Sequence, residues 1–323
     1  EPEQIFVLPS AQAALTLIAA LVVRPGDVVL TEDPGYPGAA AAFRTAGADV
    51  HGVRLDRQGM QRVPGGVAAR AVFVTPSHHH PTGLLMPVSR RTELLAAARP
   101  GQTWIVEDDY DGEFHYDSRP VPALQGLDRL GRVFYVGTFA KAMTPDIRLG
   151  YIVAPAQLAV TMEIAQRHMG LIASVHVQEA LADFIDEGHF VAHIRKLRRI
   201  YHGRRDHLVE ALERQLGNVL SVAVPPGGVQ LVARLRGRAG DKTAARRLIE
   251  AGVEVRALSS LALGRPCDYG LLLGFAAWQE REIDTAVRAM VKVIGKNRPA
   301  IRGIGGASSV RPLRSAVRRQ SPE

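Results

Sequence analysis

The sequence predicts an α/β fold, a mostly parallel seven-stranded sheet with helices on both faces, followed by a smaller α+β C-terminal unit. Three observations carry that expectation. Up to about Pro155, short β-branched runs alternate with apolar-periodic stretches, the pattern of successive βα units. From Gln157 to about Leu216 helical periodicity takes over. Beyond it, strands and helices alternate again around the turn Pro225-Pro226-Gly227-Gly228. The 323 residues are enough for two domains, and 46% hydrophobic against 22% charged residues supplies a sizeable core.

In chain order, the expected strands of the large sheet are Ile5–Leu8, Asp27–Thr31, Asp49–Val53, Ala71–Thr75, Thr103–Glu107, Val133–Gly137 and Leu149–Ala154. Helices are expected over Ala11–Val22, Gly38–Ala46 and Ser89–Ala97, with Arg24-Pro25-Gly26-Asp27 as a helix-to-strand turn. In the helical stretch, Gly170, Gly188 and Gly203 are the candidate breaks or caps. The second unit is read as strands Val219–Val224 and Val229–Leu235, a helix over Lys242–Ala251, strands Val253–Arg256 and Leu271–Phe275, and a helix over Gln279–Ile294. This places a large domain at 1–187, a small domain at 188–296 and a tail at 297–323. Ligands of such sheets bind at loops leaving the C-terminal ends of the strands.

The formal charge of +8 does not argue for a nucleic-acid surface, because most of the excess sits at the end of the chain. From Lys296 to Glu323 there are seven Lys or Arg residues and one acid, in a Gly-, Pro-, Ser- and Arg-rich segment that reads as disordered. No run of 18 apolar residues occurs, and EPEQIFVLPS lacks the basic start of a secretory signal. The lone Cys267 cannot form an internal disulfide, which suits a reducing, cytoplasmic compartment and a small core residue.

The chemistry-bearing residues fall directly after β-branched runs. Val106-Glu107-Asp108-Asp109-Tyr110 is followed by Val136-Gly137-Thr138-Phe139-Ala140-Lys141 and then by Arg148-Leu149-Gly150-Tyr151, so these side chains can converge at one sheet edge. A lysine amine, a carboxylate and phosphate donors are the combination that pyridoxal phosphate needs. Singly, a Lys is usually a solvated charge and an Asp at a strand end often a helix cap.

The run EDDYDGEFHYDSRPVPALQGLDRLGRVFYVGTFAKAMTPDIRLGYIVAP closely resembles the aminotransferase-like domain of MocR-type transcriptional regulators. In those proteins a GntR-type winged helix-turn-helix is fused to a fold-type I domain that binds pyridoxal 5'-phosphate. The resemblance extends from about Gln4 to Met290. It implies Lys141 as the Schiff-base lysine and Asp108, 33 residues earlier, as the partner of the pyridine nitrogen. Tyr110 would donate to the phenolic oxygen, Thr138 and Arg148 would bind the phosphate, and Ser10, Ala11 and Gln12 would form the loop offering backbone N–H groups to it. Tyr36 would stack on the cofactor ring.

Three departures mark this chain. His80 precedes Pro81-Thr82-Gly83 where many aminotransferases have Asn, which removes a donor to the phenolic oxygen unless an imidazole takes its place. Among the three consecutive histidines, His78 best matches the Ser-His pair of the regulator family. Adjacent histidines on an extended loop point in alternating directions, which argues against a metal. Leu272 stands where aminotransferases place an arginine that clamps the substrate carboxylate. Arg256 and Arg265 are the nearby cations, with a surface role as the simpler reading of each. Ser10 replaces an expected glycine, and Ala140 a serine.

These residues support an effector sensor that holds pyridoxal phosphate on Lys141 and takes a small-molecule amine or amino acid, and the resemblance implies that it pairs as a homodimer. The alternatives are a pyridoxal-phosphate-dependent aminotransferase acting on an amino acid, and a protein that no longer binds the cofactor. With only Glu1-Pro2-Glu3 before Gln4, and no helix-turn-helix pattern in the first thirty residues, the chain reads as a fragment whose DNA contact would come from a module outside it. No membrane partner is expected.

Overall fold

The computed structural model describes residues 1–295 apart from 63–67, 99–102, 118–119, 238–239, 265 and 267. The expectations for Arg265, Cys267 and the tail at 297–323 therefore lie outside the described residues. The large sheet contains β1 (Ile5–Leu8), β2 (Val28–Asp33), β3 (Asp49–Asp56), β4 (Gly59–Met60), β5 (Ala71–Val74), β6 (Trp104–Asp109), β7 (Val133–Thr138) and β8 (Gly150–Val153). Their spatial order is β1-β8-β7-β6-β5-β2-β3-β4. The seven expected strands form one sheet, and two-residue β4 adds an eighth at its edge by folding back on β3.

The strands β7, β6, β5, β2 and β3 run parallel, whereas β8 is antiparallel to both β7 and β1. The C-terminal ends of β1, β2, β5, β6 and β7 and the N-terminal end of β8 therefore share one edge. Alternation along the strands sends successive side chains to opposite faces. Val29, Phe73, Val106 and Ile152 pack with α1 (Ala11–Val22), α2 (Pro37–Thr45) and α5 (Ala159–His168). Leu30, Val72, Ile105 and Val133 pack on the other side with α3 (Val88–Ala97) and the single turn α4 (Leu124–Leu127).

The helical stretch resolves into α5, α6 (Val175–Asp186) and the 28-residue α7 (His189–Leu216). Gly170 and Gly188 adopt left-handed backbone (φ 65° and 79°) between these helices, a conformation that glycine enters without steric penalty. Gly203 does not break α7; it sits inside the helix with open space beside it, because the flanking residues supply enough packing to override its weak propensity. No described helix is long and apolar enough to cross a membrane.

The C-terminal sheet has the order β11 (Arg256–Ala257), β12 (Gly270–Gly274), β10 (Gln230–Leu235), β9 (Leu220–Val222). It is antiparallel throughout. Its core is shared with the second half of α7, α8 (Asp241–Glu250) and α9 (Glu280–Ile294). The expected strand Val253–Arg256 shortens and shifts to Arg256–Ala257.

Two sets of contacts join the C-terminal sheet to the large one. Gly35 donates to the Leu261 carbonyl, while the Asp33 carboxylate accepts from Leu263 N (2.9 Å) and Gly264 N (3.1 Å). On the other side, Gly228 N donates to the Phe114 carbonyl and the Tyr116 hydroxyl to the Gly228 carbonyl. Both sets end on loops at the C-terminal edge of the large sheet.

One buried arginine organises the loop that carries the three histidines. Arg91, on α3, is 0% exposed and donates to the carbonyls of Met86 (3.0 Å), Pro76 (2.9 Å) and Pro122 (3.0 Å), with Glu107 at 3.4 Å. Glu107 in turn accepts from Leu124 N and Gln125 N, both at 2.9 Å. Arg91→Leu would leave these acceptors without a cation in the interior. A loss of about 3–5 kcal/mol in unfolding free energy is expected from urea denaturation; a loss below about 1 kcal/mol would show that the loop does not depend on this residue.

Candidate functional site

The edge where the parallel strands end gathers most of the residues singled out from the sequence. The chain leaves β1 and enters α1 at Ser10, whose hydroxyl accepts from Ala13 N at 3.1 Å and caps the helix. The N–H groups of Ala11 and Gln12 belong to the first turn, which has no intrahelical acceptors. Facing this turn is the start of β8. A Cβ on Gly150 would lie 2.8 Å from Ala11 N and from the Ser10 carbonyl carbon, so only glycine permits the approach.

Gly150 pairs with Thr138 on β7, which brings that hydroxyl to the same place. Thr138 is buried, accepting from Ala140 N at 3.2 Å and donating to the Leu149 carbonyl at 3.4 Å. Two residues before Gly150, Arg148 takes left-handed backbone (φ 53°, ψ 44°), the only non-glycine residue to do so among those described. Such a conformation costs about 1–3 kcal/mol and tends to mark functional segments. The exposed Arg148 and Lys141 make no ion pair and donate no side-chain hydrogen bond among the described residues. Free helix N–H groups, a hydroxyl and an unpaired guanidinium on neighbouring segments are groups that could together hold a phosphate-sized anion.

Beside these groups lies a slot lined by rings. Tyr36, at the start of α2, donates its hydroxyl to Gln12 Oε1 at 3.2 Å, and Gln12 Nε2 donates to the Gly38 carbonyl at 3.0 Å. His80 meets Tyr36 edge-on at 5.6 Å and Tyr110 edge-on at 6.0 Å. The Gln230 side chain, from β10, donates to His80 Nδ1 at 2.9 Å, which leaves the ring proton on Nε2. Burial first, then the Arg256 and Lys141 charges, push the His80 pKa down to about 4, so the ring is neutral at pH 7. Its Nε2 is buried without a partner among the described residues, a free donor available to a phenolic oxygen. Burial, then the Asp111 and Asp108 charges, push the Tyr110 hydroxyl pKa up, which keeps it a donor as well.

Asp108 ends the slot. It is 4% exposed, and its Oδ1 has no hydrogen-bond partner among the described residues. Burial raises its pKa to about 8, reinforced by Asp109, Asp111 and Glu32 and opposed by Lys141. A carboxylate so placed lacks a cation.

His78 and His79 go elsewhere. His78 Nδ1 lies 2.9 Å from Asp111 Oδ1, both groups buried, and its ring tilts against His115 at 4.8 Å. Burial lowers the His78 pKa, but the Asp111 charge and hydrogen bond outweigh it and leave a net rise. His78 thus does not join the ring contacts of Tyr36, His80 and Tyr110, contrary to its expected place in the slot. The turn at 77–80 sends each imidazole to a different partner. His79 meets Thr82 at 2.7 Å and Glu32 at 3.6 Å, and burial pushes its pKa down to about 3. Sequence reasoning missed Gln230 and Glu32; for Asp111, the acidic run after β6 was the available signal.

The family model for aminotransferase class I and II matches residues 1–290. The chain belongs to that family. It is 38% identical over 293 residues to the probable rhizopine catabolism regulatory protein MocR of Rhizobium meliloti, covering 90% of this chain and 59% of that protein. The chain therefore spans about three fifths of that relative. Among solved aminotransferases, the Pyrococcus horikoshii kynurenine aminotransferase, determined with PMP, superposes with a TM-score of 0.83 at 29% identity, covering 90% of this chain and 74% of that one. The Thermus thermophilus α-aminoadipate aminotransferase LysN, complexed with N-(5'-phosphopyridoxyl)-L-leucine, gives 0.84 at 26% identity, covering 91% and 78%.

Pyridoxal phosphate is the cofactor of this aminotransferase fold, and the residues present fit it. The orphaned Asp108 oxygen suits a cationic ring nitrogen, the close approach at Gly150 leaves the α1 N–H groups facing an anion, and Lys141 is an unpaired amine.

Asp108→Asn should separate stability from binding. The raised pKa means that the folded state holds a proton the unfolded chain has lost, so the carboxyl destabilises the cofactor-free protein increasingly from about pH 4 and fully above about pH 8. Without cofactor, the variant should melt higher than wild type at pH 8.5, and its affinity for pyridoxal phosphate should fall by at least about tenfold. A variant with unchanged affinity would show that Asp108 does not face the ring nitrogen.

Proposed function

We propose that this chain binds pyridoxal 5'-phosphate through Lys141 and serves as the effector-sensing domain of a MocR-type transcriptional regulator. The observation that carries the reading is the convergence of an unpaired lysine, a buried carboxylate without a cation and an N-terminal helix turn at one sheet edge. The likeness to MocR along 90% of the chain supports the regulatory assignment.

When bound, pyridoxal phosphate supplies a carbonyl that reacts with amines and a ring that withdraws electrons. The protein's part is binding and electrostatics. Lys141 would offer the amine, and Asp108 would hold a positive charge at the ring nitrogen. Tyr110 and the Nε2–H of His80 would donate to the phenolic oxygen, and Tyr36 would cover the ring. The Ala11 and Gln12 N–H groups, Thr138 and Arg148 would take the phosphate charge. A small-molecule amine or amino acid competing for Lys141's place would alter these contacts, and a differential affinity for two arrangements would transmit binding. DNA contact would fall to a winged helix-turn-helix on a separate segment.

Transamination is the second reading, favoured by the aminotransferases among the structural relatives. Steady conversion of an amino acid and a keto acid by the loaded chain would establish it; single binding without turnover supports the sensor. In either case borohydride treatment after loading should fix the cofactor to one site. Mass spectrometry should locate it on Lys141, and Lys141→Ala should carry no adduct while keeping the wild-type melting temperature. An adduct elsewhere in wild type would overturn the assignment.

We infer further that the chain divides at Gly188 into the domains at 1–187 and 188–296, and that it pairs with a second copy. Val160, Ile164, Ile172 and Val175, on α5 and α6 and the loop between them, are each more than half exposed, a cluster that suits an interface. Ile164→Asp should shift the chain from dimer to monomer in sedimentation velocity; an unchanged dimer would place the interface elsewhere.

A further inference from the structure

We propose that Arg256 binds the carboxylate of the amine ligand, from the strand next to the one where Leu272 stands. The proposal rests on the cofactor reading above and names the ligand class of that same site, an amino acid rather than a simple amine.

The argument begins with strand register. Arg256 pairs with Leu272 and Ala257 with Leu271, while Leu272 also pairs with Val232. Directly opposed residues of antiparallel strands lie on the same face. One face of this sheet, with Leu231, Ala233, Ala257, Leu271 and Leu273, packs into the core shared with α7, α8 and α9. The other carries Gln230, Val232, Leu272 and Arg256.

That second face looks onto the slot, since Gln230 reaches His80 at 2.9 Å. The segment after Arg256 reinforces the placement, because Leu261, Leu263 and Gly264 are bonded to Gly35 and Asp33, just ahead of Tyr36. The Arg256 charge acts on both rings of the slot, opposing the rise in the Tyr36 pKa and adding to the fall in that of His80.

Leu272 itself cannot hold an anion. It is 8% exposed and packed with Val232, Leu258 and Leu261. Arg256 is exposed, in no ion pair and donating no side-chain hydrogen bond among the described residues. Neighbouring strands lie about 4.7–4.9 Å apart, an offset that the long arginine side chain can span. A planar guanidinium grips a carboxylate with two parallel N–H bonds. The other unpaired cations of the site, Lys141 and Arg148, already serve the amine and the phosphate in this reading.

The test uses the full chain loaded with pyridoxal phosphate and follows its absorption band at equilibrium, without reference to turnover. L-alanine and L-phenylalanine are titrated against ethylamine and phenethylamine, which differ from them by the carboxylate. Wild type should prefer each amino acid by about tenfold or more, the worth of a charged hydrogen-bonded pair. Arg256→Leu should lose that preference while its affinity for the two amines and its melting temperature stay as in wild type. Arg256→Lys should retain part of it. Leu272→Arg placed in the Arg256→Leu background should restore it. A preference that survives Arg256→Leu, or is absent from wild type, overturns the proposal and leaves the cofactor reading standing. Failure of wild type to develop the band with pyridoxal phosphate overturns the cofactor reading, and this proposal with it.

Discussion

The close approach of Gly150 to Ser10 and Ala11 is the constraint on which the site depends. Strand β8 enters the sheet between β1 and β7 against the direction of both, so its first residue arrives at the edge where its neighbours finish. A side chain there would push against backbone, which cannot give way as a flexible side chain could. With none, Gly150 sits between the first turn of α1 and its pairing partner Thr138, two residues after Arg148. The left-handed backbone at Arg148 ends the short turn Pro145–Ile147, two residues before β8 begins.

Around that point, the architecture sorts charges by whether they have partners. Arg91 and Glu107 are buried but saturated with hydrogen bonds, and they hold loops. Asp108, Lys141 and Arg148 are left without such partners, at the positions where a zwitterionic, phosphorylated ring would supply them. Hydrogen bonding and not burial separates the two sets, since the adjacent Glu107 and Asp108 are both buried, at 0% and 4% exposed.

Much of this was legible in the sequence because the informative residues follow strands directly. Asp108, Thr138 and Lys141 come after β-branched runs, and a parallel sheet carries such residues to one edge whatever the details of packing. Ser10 was expected in the loop that opens α1, and there its hydroxyl caps the helix. Contacts across long stretches of chain were not legible. Gln230 reaches His80 over 150 residues, and nothing local to either signals the pairing. The separation of His78 from His80 depends on a turn whose course is set by Arg91, on another helix. The position of Arg256 beside Leu272 needs the register of two strands. Gly203 misled as a break because packing, not local propensity, decides the continuity of a long helix.

The raised pKa of Asp108 also bears on what this side chain can offer a ligand. Burial and three neighbouring acids, Asp109, Asp111 and Glu32, favour its protonated form across most of the neutral range. A neutral carboxyl group both donates and accepts, whereas a carboxylate only accepts. Asp108 would therefore suit an aromatic nitrogen in either protonation state, as a donor to a bare nitrogen and as an acceptor from a protonated one.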